Sequence, residues 1–174
     1  MTELHAYDPH WADEFARTAA QLRSVGDPSW AFEHIGSTSV PGLPAKPIID
    51  LAVRVSSLDE VSAHDASLTA GGWLAIRRQP GDHLVRVRQR GNVRTHIAHF
   101  FAAADWDACH QRMFRDWLRE HPDDRDRYAA AKRAASAVAG PDYTRTKAPV
   151  VLEIVNRARA ARGLGPLADL DSGV

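Results

Sequence analysis

His34-Ile35-Gly36-Ser37-Thr38-Ser39-Val40-Pro41-Gly42-Leu43-Pro44-Ala45-Lys46-Pro47-Ile48-Ile49-Asp50 is a glycine-punctuated loop of small residues that runs directly into an apolar segment carrying one carboxylate. Gly36 and Gly42 can adopt backbone conformations that residues with a Cβ avoid. Ser37, Thr38 and Ser39 supply hydroxyls, and Lys46 supplies a mobile positive charge. Such a loop can bring backbone N–H groups close to a phosphate. Asp50 then stands where a metal or an attacking group needs an anionic partner. The alternative is a tight loop before a buried strand, with Asp50 capping the turn. The segment Pro47 to Val55 reads as that strand, nearly all apolar as expected of one covered on both faces. Alternation places Asp50 and Ala52 on one face and Ile49, Leu51 and Val53 on the other. A carboxylate in such a strand has to be hydrogen-bonded, paired or metal-bound, because unpaired burial is costly.

Outward from this stretch, strands and helices intersperse. Asp8-Pro9 has the chemistry of a helix start, and Trp11, Phe15, Ala19 and Leu22 recur at helical spacing to about Val25. Trp30 to Ile35 reads as a short strand before the loop. Leu58 to Ala70 reads as one helix stopped by Gly71-Gly72, followed by strands at Trp73 to Arg78, Leu84 to Gln89 and Val93 to Phe101. The last third reads as three helices, Asp105 to Glu120, Pro122 to Val138 and Lys147 to Arg162. From Gly163 the chain has the composition of a loose tail. The pattern indicates a single α/β or α+β domain over residues 1–162, with a flexible C-terminal tail over 163–174.

The 174 residues, 44% hydrophobic and 25% charged, suffice for one domain with a proper core. The formal net charge of +0, from 22 basic and 22 acidic side chains, argues against general nucleic-acid binding. The single cysteine, Cys109, excludes an intramolecular disulfide and reads as a small buried hydrophobe. No apolar run approaches the roughly 20 residues of a membrane span, and Met1 to Tyr7 lacks a secretory pattern. A cytoplasmic protein without membrane contact is expected.

His34 to Leu43 and Ala45 to Asp50 resemble the signature of the GrpB family, also called UPF0157. Further matches are Tyr7, Pro9 and Trp11; Phe114-Arg115-Asp116-Trp117-Leu118-Arg119 with His121-Pro122; and Tyr128, Lys132, Tyr143 and Lys147. The resemblance covers about residues 5 to 160. It implies a nucleotidyltransferase-like fold, a mixed sheet flanked by helices, and with it transferase chemistry, nucleotide and phosphate binding. In that superfamily a Gly-Ser at a helix start holds the phosphates, an Asp-x-Asp or Asp-x-Glu on the next strand binds divalent metals, and a later strand adds a third carboxylate. Here Gly36-Ser37 and Asp50 match the first two parts. Two metals about 3.5–4 Å apart clamp the attacking and leaving oxygens of phosphoryl transfer, and hard cations such as Mg²⁺ or Mn²⁺ need oxygen ligands. This chain departs from the pattern, because Ala52 occupies the second metal position and the strand Arg94 to Phe100 carries histidines but no carboxylate.

The candidate site residues follow. Asp50 is the expected metal ligand or general base, with His96 or His99 assisting; being three apart, the two histidines face opposite sides of an ideal strand. His34, Gly36, Ser37, Thr38, Ser39 and Lys46 are candidates for holding an anionic small molecule, with Arg86 and Arg88 on one strand face. Guanidinium groups grip carboxylate and phosphate bidentately; alternatively the two arginines form a solvated edge face. Arg115 and Arg119, four apart on one helix face, and Lys147 extend the same list, with Lys132 and Tyr143 beside it. His5, His10, His64, His83, His110 and His121 read as surface or capping residues. Three functions remain open: an enzyme acting on a nucleotide or other phosphorylated molecule with an atypical metal site, a non-catalytic ligand-binding module, and acid–base chemistry on an amino-acid-like substrate.

Overall fold

Residues 3–138 and 141–170 are described by the computed structural model. Helix α1 (His10–Val25) precedes strand β1 (Ala31–Ile35), a 3₁₀ turn over Ser37–Ser39, and strand β2 (Ile49–Val55). Helices α2 (Leu58–Ala63) and α3 (Asp65–Ala70) lead to strands β3 (Leu74–Ala75), β4 (Leu84–Arg90) and β5 (Val93–Ala102). Helices α4 (His110–Glu120), α5 (Pro122–Ala135) and α6 (Pro141–Ala160) complete the fold. The five strands form one sheet in the order β1-β2-β5-β4-β3. Only β2 and β5 pair in parallel; the other neighbours are antiparallel. The expected mixed sheet with a helical C-terminal part is present.

Alternation along β2 sorts the core into layers. Leu51 and Val53 face α1, α2 and α3 and pack with Leu22, Trp30, Val61, Leu68, Trp73 and Phe100. Ala52 faces the other way, among Ile35, Phe101, Trp106 and Cys109. A third apolar cluster joins α4, α5 and α6 to the loop, since Val40 and Leu43 are fully buried among Leu118, Tyr128, Ala129 and Ile154. The loop before β2 is therefore anchored by its own apolar side chains to the C-terminal helices. Its far end is fixed by His5, whose backbone exchanges hydrogen bonds with Ala45 at 2.8 and 2.9 Å.

Four elements differ from their sequence reading. The helix expected from Asp105 begins at His110, after a 3₁₀ turn over Trp106–Ala108 and an extended Cys109. The segment Leu58 to Ala70 is two helices because the His64 ring takes the Glu60 carbonyl at 2.9 Å. The His64 amide turns instead to Val61 O at 3.1 Å. The strand expected from Trp73 to Arg78 is only Leu74–Ala75. Past Ala75, the amide of Gln79 replaces the strand: its Oε1 accepts the Val85 N–H at 2.7 Å and its Nε2 donates to Val85 O at 3.2 Å. A side chain thus occupies an open sheet edge that another backbone would otherwise pair with. The last helix begins at Pro141, six residues before Lys147, and contains Pro149. Beyond Gly163, Asn156 pins Leu167 by two hydrogen bonds of 2.8 and 3.1 Å, and Arg159 donates to Gly165 O at 2.7 Å. Residues 171–174 of the expected tail lie outside the described residues.

Candidate functional site

Gly36 adopts φ +69° and ψ −175°, a region that is essentially glycine's alone. A Cβ at this position would lie 2.3 Å from Asp50 Oδ2. The loop backbone therefore rests directly on the Asp50 carboxyl group, and glycine is required for conformation and for space together.

The hydroxyls after Gly36 divide between frame and site. Ser39 Oγ donates to Gly36 O at 2.6 Å, and Thr38 Oγ1 donates to Ile48 O at 3.1 Å. Thr38 has then spent its proton, so the His34 ring 3.0 Å away donates from Nε2. His34 also stacks on Phe15 with centroids 4.9 Å apart. Burial, with Arg119 and Arg115 nearby, holds its ring down to a pKa of about 4. Arg119 donates twice to Ser39 O, at 3.1 and 2.7 Å, and Arg115 donates to His34 O at 3.0 Å while pairing with Glu33 and Asp116. His34, Thr38, Ser39, Arg115 and Arg119 hold the loop in shape. Ser37 faces inward.

Inward lies a cavity of about 150 Å³. The β2 side supplies Lys46, Ile48 and Asp50; β5 supplies Arg94 and Ile97; α5 supplies Tyr128 and Lys132; and α6 supplies Tyr143, Thr144 and Lys147. The geometry thus assembles Ser37, Lys46, Asp50 and Lys147 from the expected residues, with Lys132 and Tyr143 named beside them, and adds Arg94 and Tyr128. Arg94 escapes simple alternation, which would place it with His96. The β4–β5 register slips between Arg88 and Gln89, which pair with His96 and Arg94. Thr95 is the extra residue of this bulge, and the bulge turns Arg94 to the Asp50 face.

The charges around Asp50 are lopsided. Lys132 Nζ donates to Pro44 O, Lys147 Nζ lies 3.4 Å from the Tyr128 hydroxyl, and Lys46 Nζ sits 4.0 Å over the Tyr143 ring. Among the described residues none of Lys46, Arg94, Lys132 or Lys147 forms an ion pair within 4.0 Å. Burial pushes the Asp50 carboxyl up to about 7, against the opposing pull of Lys147, Lys132 and Arg94. Burial pulls Lys132 down to about 8 and also lowers Lys46, which Lys147 and Arg94 depress further. For Tyr128 burial acts upward, but Lys147, Lys132 and a hydrogen bond with Ser37 outweigh it and bring the phenol to about 8. Three groups able to exchange a proton near neutrality thus surround one small space.

The remaining candidates lie elsewhere. His96 is on the α1 face, 3.2 Å from Glu14 and 2.9 Å from Thr95. His99 shares the Asp50 face one register step further, opposite Ala52, yet it does not line the cavity. Its Nδ1 is 3.0 Å from Nε2 of His83, whose Nδ1 is 2.6 Å from Asp82. Burial takes His99 down to about 3. His83, read as a surface residue, is 2% exposed; the alternation His83, Val85, Val87 was the signal that it belongs inside. Arg86 is 5% exposed and pairs with Asp65 at 2.5 Å. Arg88 donates to Gln21 and to Gly71 O on the helix-covered face. Neither arginine forms a solvated edge, and neither reaches Asp50.

A two-metal centre for Mg²⁺ or Mn²⁺ does not fit this donor set. Asp50 stands alone against four cations, and among the described residues no cluster of three His, Cys, Asp or Glu side chains could hold a metal ion. No helix among them is long and apolar enough to cross a membrane.

The fold is nucleotidyltransferase-like. A terminal uridylyl transferase 4 from Trypanosoma brucei, solved with bound dUTP, shares the fold at a TM-score of 0.53 with 13% identity, over 91% of this chain and 56% of that one. Within that class the chain belongs to the GrpB family: the family profile described as GrpB protein matches residues 1–157. The solved GrpB protein from Enterococcus faecalis superposes with a TM-score of 0.82 at 25% identity, over 92% of this chain and 99% of that one. A UPF0157 protein from Streptomyces coelicolor is 39% identical over 162 residues, covering 91% of this chain and 85% of its own. A dephospho-CoA kinase from Mycobacterium leprae is 27% identical over 188 residues, covering 87% of this chain but 45% of that protein.

Proposed function

We propose that the Asp50 cavity binds the phosphate-bearing end of a nucleotide-like small molecule and acts on it without a two-metal centre. The observation that carries this reading is four cations around one carboxylate in about 150 Å³, with no ion pair among them. Lys132 is buried and Lys46, Arg94 and Lys147 are half-buried. Withdrawing cations from water without a counter-charge costs stability, and an anionic ligand would offset that cost. The volume falls below the roughly 300–1,000 Å³ of sites that enclose a whole drug-sized ligand. The enclosed part is therefore a phosphate-sized head, with the remainder outside. Lys46 and Lys147 meet the head, and the Ser37 hydroxyl and the loop amides orient it. Asp50 and Tyr128, with pKa values of about 7 and about 8, accept or return a proton. The relationship to a dephospho-CoA kinase adds coenzyme A precursors to the ligands worth testing.

Calorimetric titration with pyrophosphate, ATP, UTP and dephospho-CoA, each in Mg²⁺ and in EDTA, tests this. Binding should persist in EDTA and weaken about tenfold or more in Lys46→Ala and Lys147→Ala. Binding that requires Mg²⁺, or that ignores both substitutions, overturns it.

The same two proton-exchanging groups favour a second reading, acid–base chemistry on a carboxylate-bearing substrate. In that case glutamate-sized carboxylates would bind in the cavity in preference to phosphates.

A further inference from the structure

The opposite face of the same two strands carries a second, larger cavity of about 500 Å³. Lys46, Ile48 and Asp50 line the small cavity, whereas Pro47 and Ile49, between them in sequence, line the large one. Helix α1 closes it with Trp11, Glu14 and Arg17, and β4 contributes Arg88 and Arg90. Its volume lies within the range of about 300–1,000 Å³ common for small-molecule sites.

The charges here are partly settled and partly free. Glu14 is held by Arg17 at 2.7 Å and by His96 at 3.2 Å. Arg88, half-buried and stacked 4.8 Å from the Trp73 ring, uses only Nη2, toward Gln21 and Gly71 O. Its Nε and Nη1 make no hydrogen bond to a described residue, and the Arg90 side chain makes neither a hydrogen bond nor an ion pair among them. Three arginines against one glutamate leave about two positive charges over an apolar wall of Trp11, Pro47 and Ile49.

We propose that this cavity is a second ligand site, for a small organic anion with an apolar body. Its two oxyanion charges meet Arg88 and Arg90, and its body lies against Trp11 and Ile49. The Arg90 guanidinium keeps a whole two-N–H edge shaped for a carboxylate or phosphate. Arg88 adds single charge-assisted donors from Nε and Nη1, since Nη2, common to both of its edges, is taken. A phosphomonoester and an aromatic dicarboxylate share this chemistry. The site stands independently of the function assigned to the Asp50 cavity.

Two-dimensional NMR of the full chain tests it, with phenyl phosphate, phthalate and inorganic phosphate as probes. Phenyl phosphate or phthalate should move the Trp11 indole and His96 resonances saturably below about 10 mM, and the stronger of the two names the head group. Inorganic phosphate, which lacks the body, should not move them. The shifts should survive Lys147→Ala and weaken about tenfold in Arg88→Lys, which keeps the charge and loses the Nε and Nη1 donors. They should also weaken in Arg90→Gln, an exposed substitution that decides the matter if Arg88→Lys does not fold. Absence of saturation with both probes, loss of the shifts in Lys147→Ala, or indifference to Arg90→Gln overturns the proposal.

Discussion

On one face of β2 and β5, Lys46, Arg94, Lys132 and Lys147 surround Asp50 without an ion pair among the described residues. On the other face, Arg86 is paired with Asp65, and Glu14 is shared by Arg17 and His96. The two faces use the same backbone, and the second carries both kinds of charge: Arg86, Glu14 and Arg17 are paired, while Arg88 and Arg90 form no ion pair among the described residues. Paired charges hold elements together: Arg86 ties β4 to α3, and Glu14 ties α1 to β5. Of the cations around Asp50 only Lys132 is buried; that burial lowers its pKa to about 8, and its ammonium is held by a carbonyl, Pro44 O, with no counter-charge in an ion pair. The difference separates charge that serves structure from charge kept for a ligand.

The largest expected effect comes from removing the contact that shapes the lysine face. Gly36→Ala puts a Cβ 2.3 Å from Asp50 Oδ2 and forces alanine into a glycine-only conformation, at a combined cost of roughly 2–4 kcal/mol by denaturant unfolding. Adding Asp50→Gly should recover the clash but leave the conformational strain of about 1–3 kcal/mol. Full recovery in the double variant would show that the carboxyl contact was the whole effect.

Next, one substitution on each face should move stability in opposite directions. Asp65→Asn leaves Arg86 buried without its partner and should cost about 1–3 kcal/mol. Lys132→Met removes an unpaired buried cation and should stabilise the protein by about 1 kcal/mol at pH 7 while weakening anion binding. Equal signs in the two melting experiments would erase the distinction between the faces.

A third measurement uses pH. As pH rises through about 7 Asp50 becomes negative, and through about 8 Lys132 loses its charge and Tyr128 gains one. All three changes oppose an anion, so affinity for pyrophosphate in EDTA should fall about tenfold or more between pH 6 and pH 9. A flat profile would remove these groups from the binding site.

The smallest effect concerns the acid limb of stability. His99 has a folded pKa of about 3 against about 6.5 unfolded. Its contribution is fully present above 6.5 and is lost as pH falls toward 3, because the unfolded chain binds the proton first. Between pH 7 and pH 5 the wild type should lose about 1–2 kcal/mol that His99→Gln does not. Parallel curves for the two proteins would show that His99 does not titrate on unfolding.

The family signature in the loop, the both-faces-buried strand and the two faces of Asp50 and Ile49 were all legible in sequence, and Ser37, Lys46, Asp50 and Lys147, all among the candidates, line one cavity. The same loop concealed which hydroxyls were free. Thr38 and Ser39 look identical to Ser37 in sequence, yet their protons go to Ile48 O and Gly36 O. Arg86 and Arg88 shared a face as alternation required, but that face lies under helices rather than at a solvated edge.

By itself, the sequence determined what local chemistry and period determine: the family, the order of most strands and helices, the need for glycine at the loop, and a strand with one acid. Tertiary structure decided which charges meet. Arg94 joins Asp50 only because a bulge at Thr95 reverses its facing. Tyr128 and Lys132 join only because Val40 and Leu43 bury themselves among α4, α5 and α6. Local pattern gives no signal for either event, and only the family resemblance marked Tyr128 and Lys132, since burial of distant apolar side chains, not local preference, fixes where those helices lie.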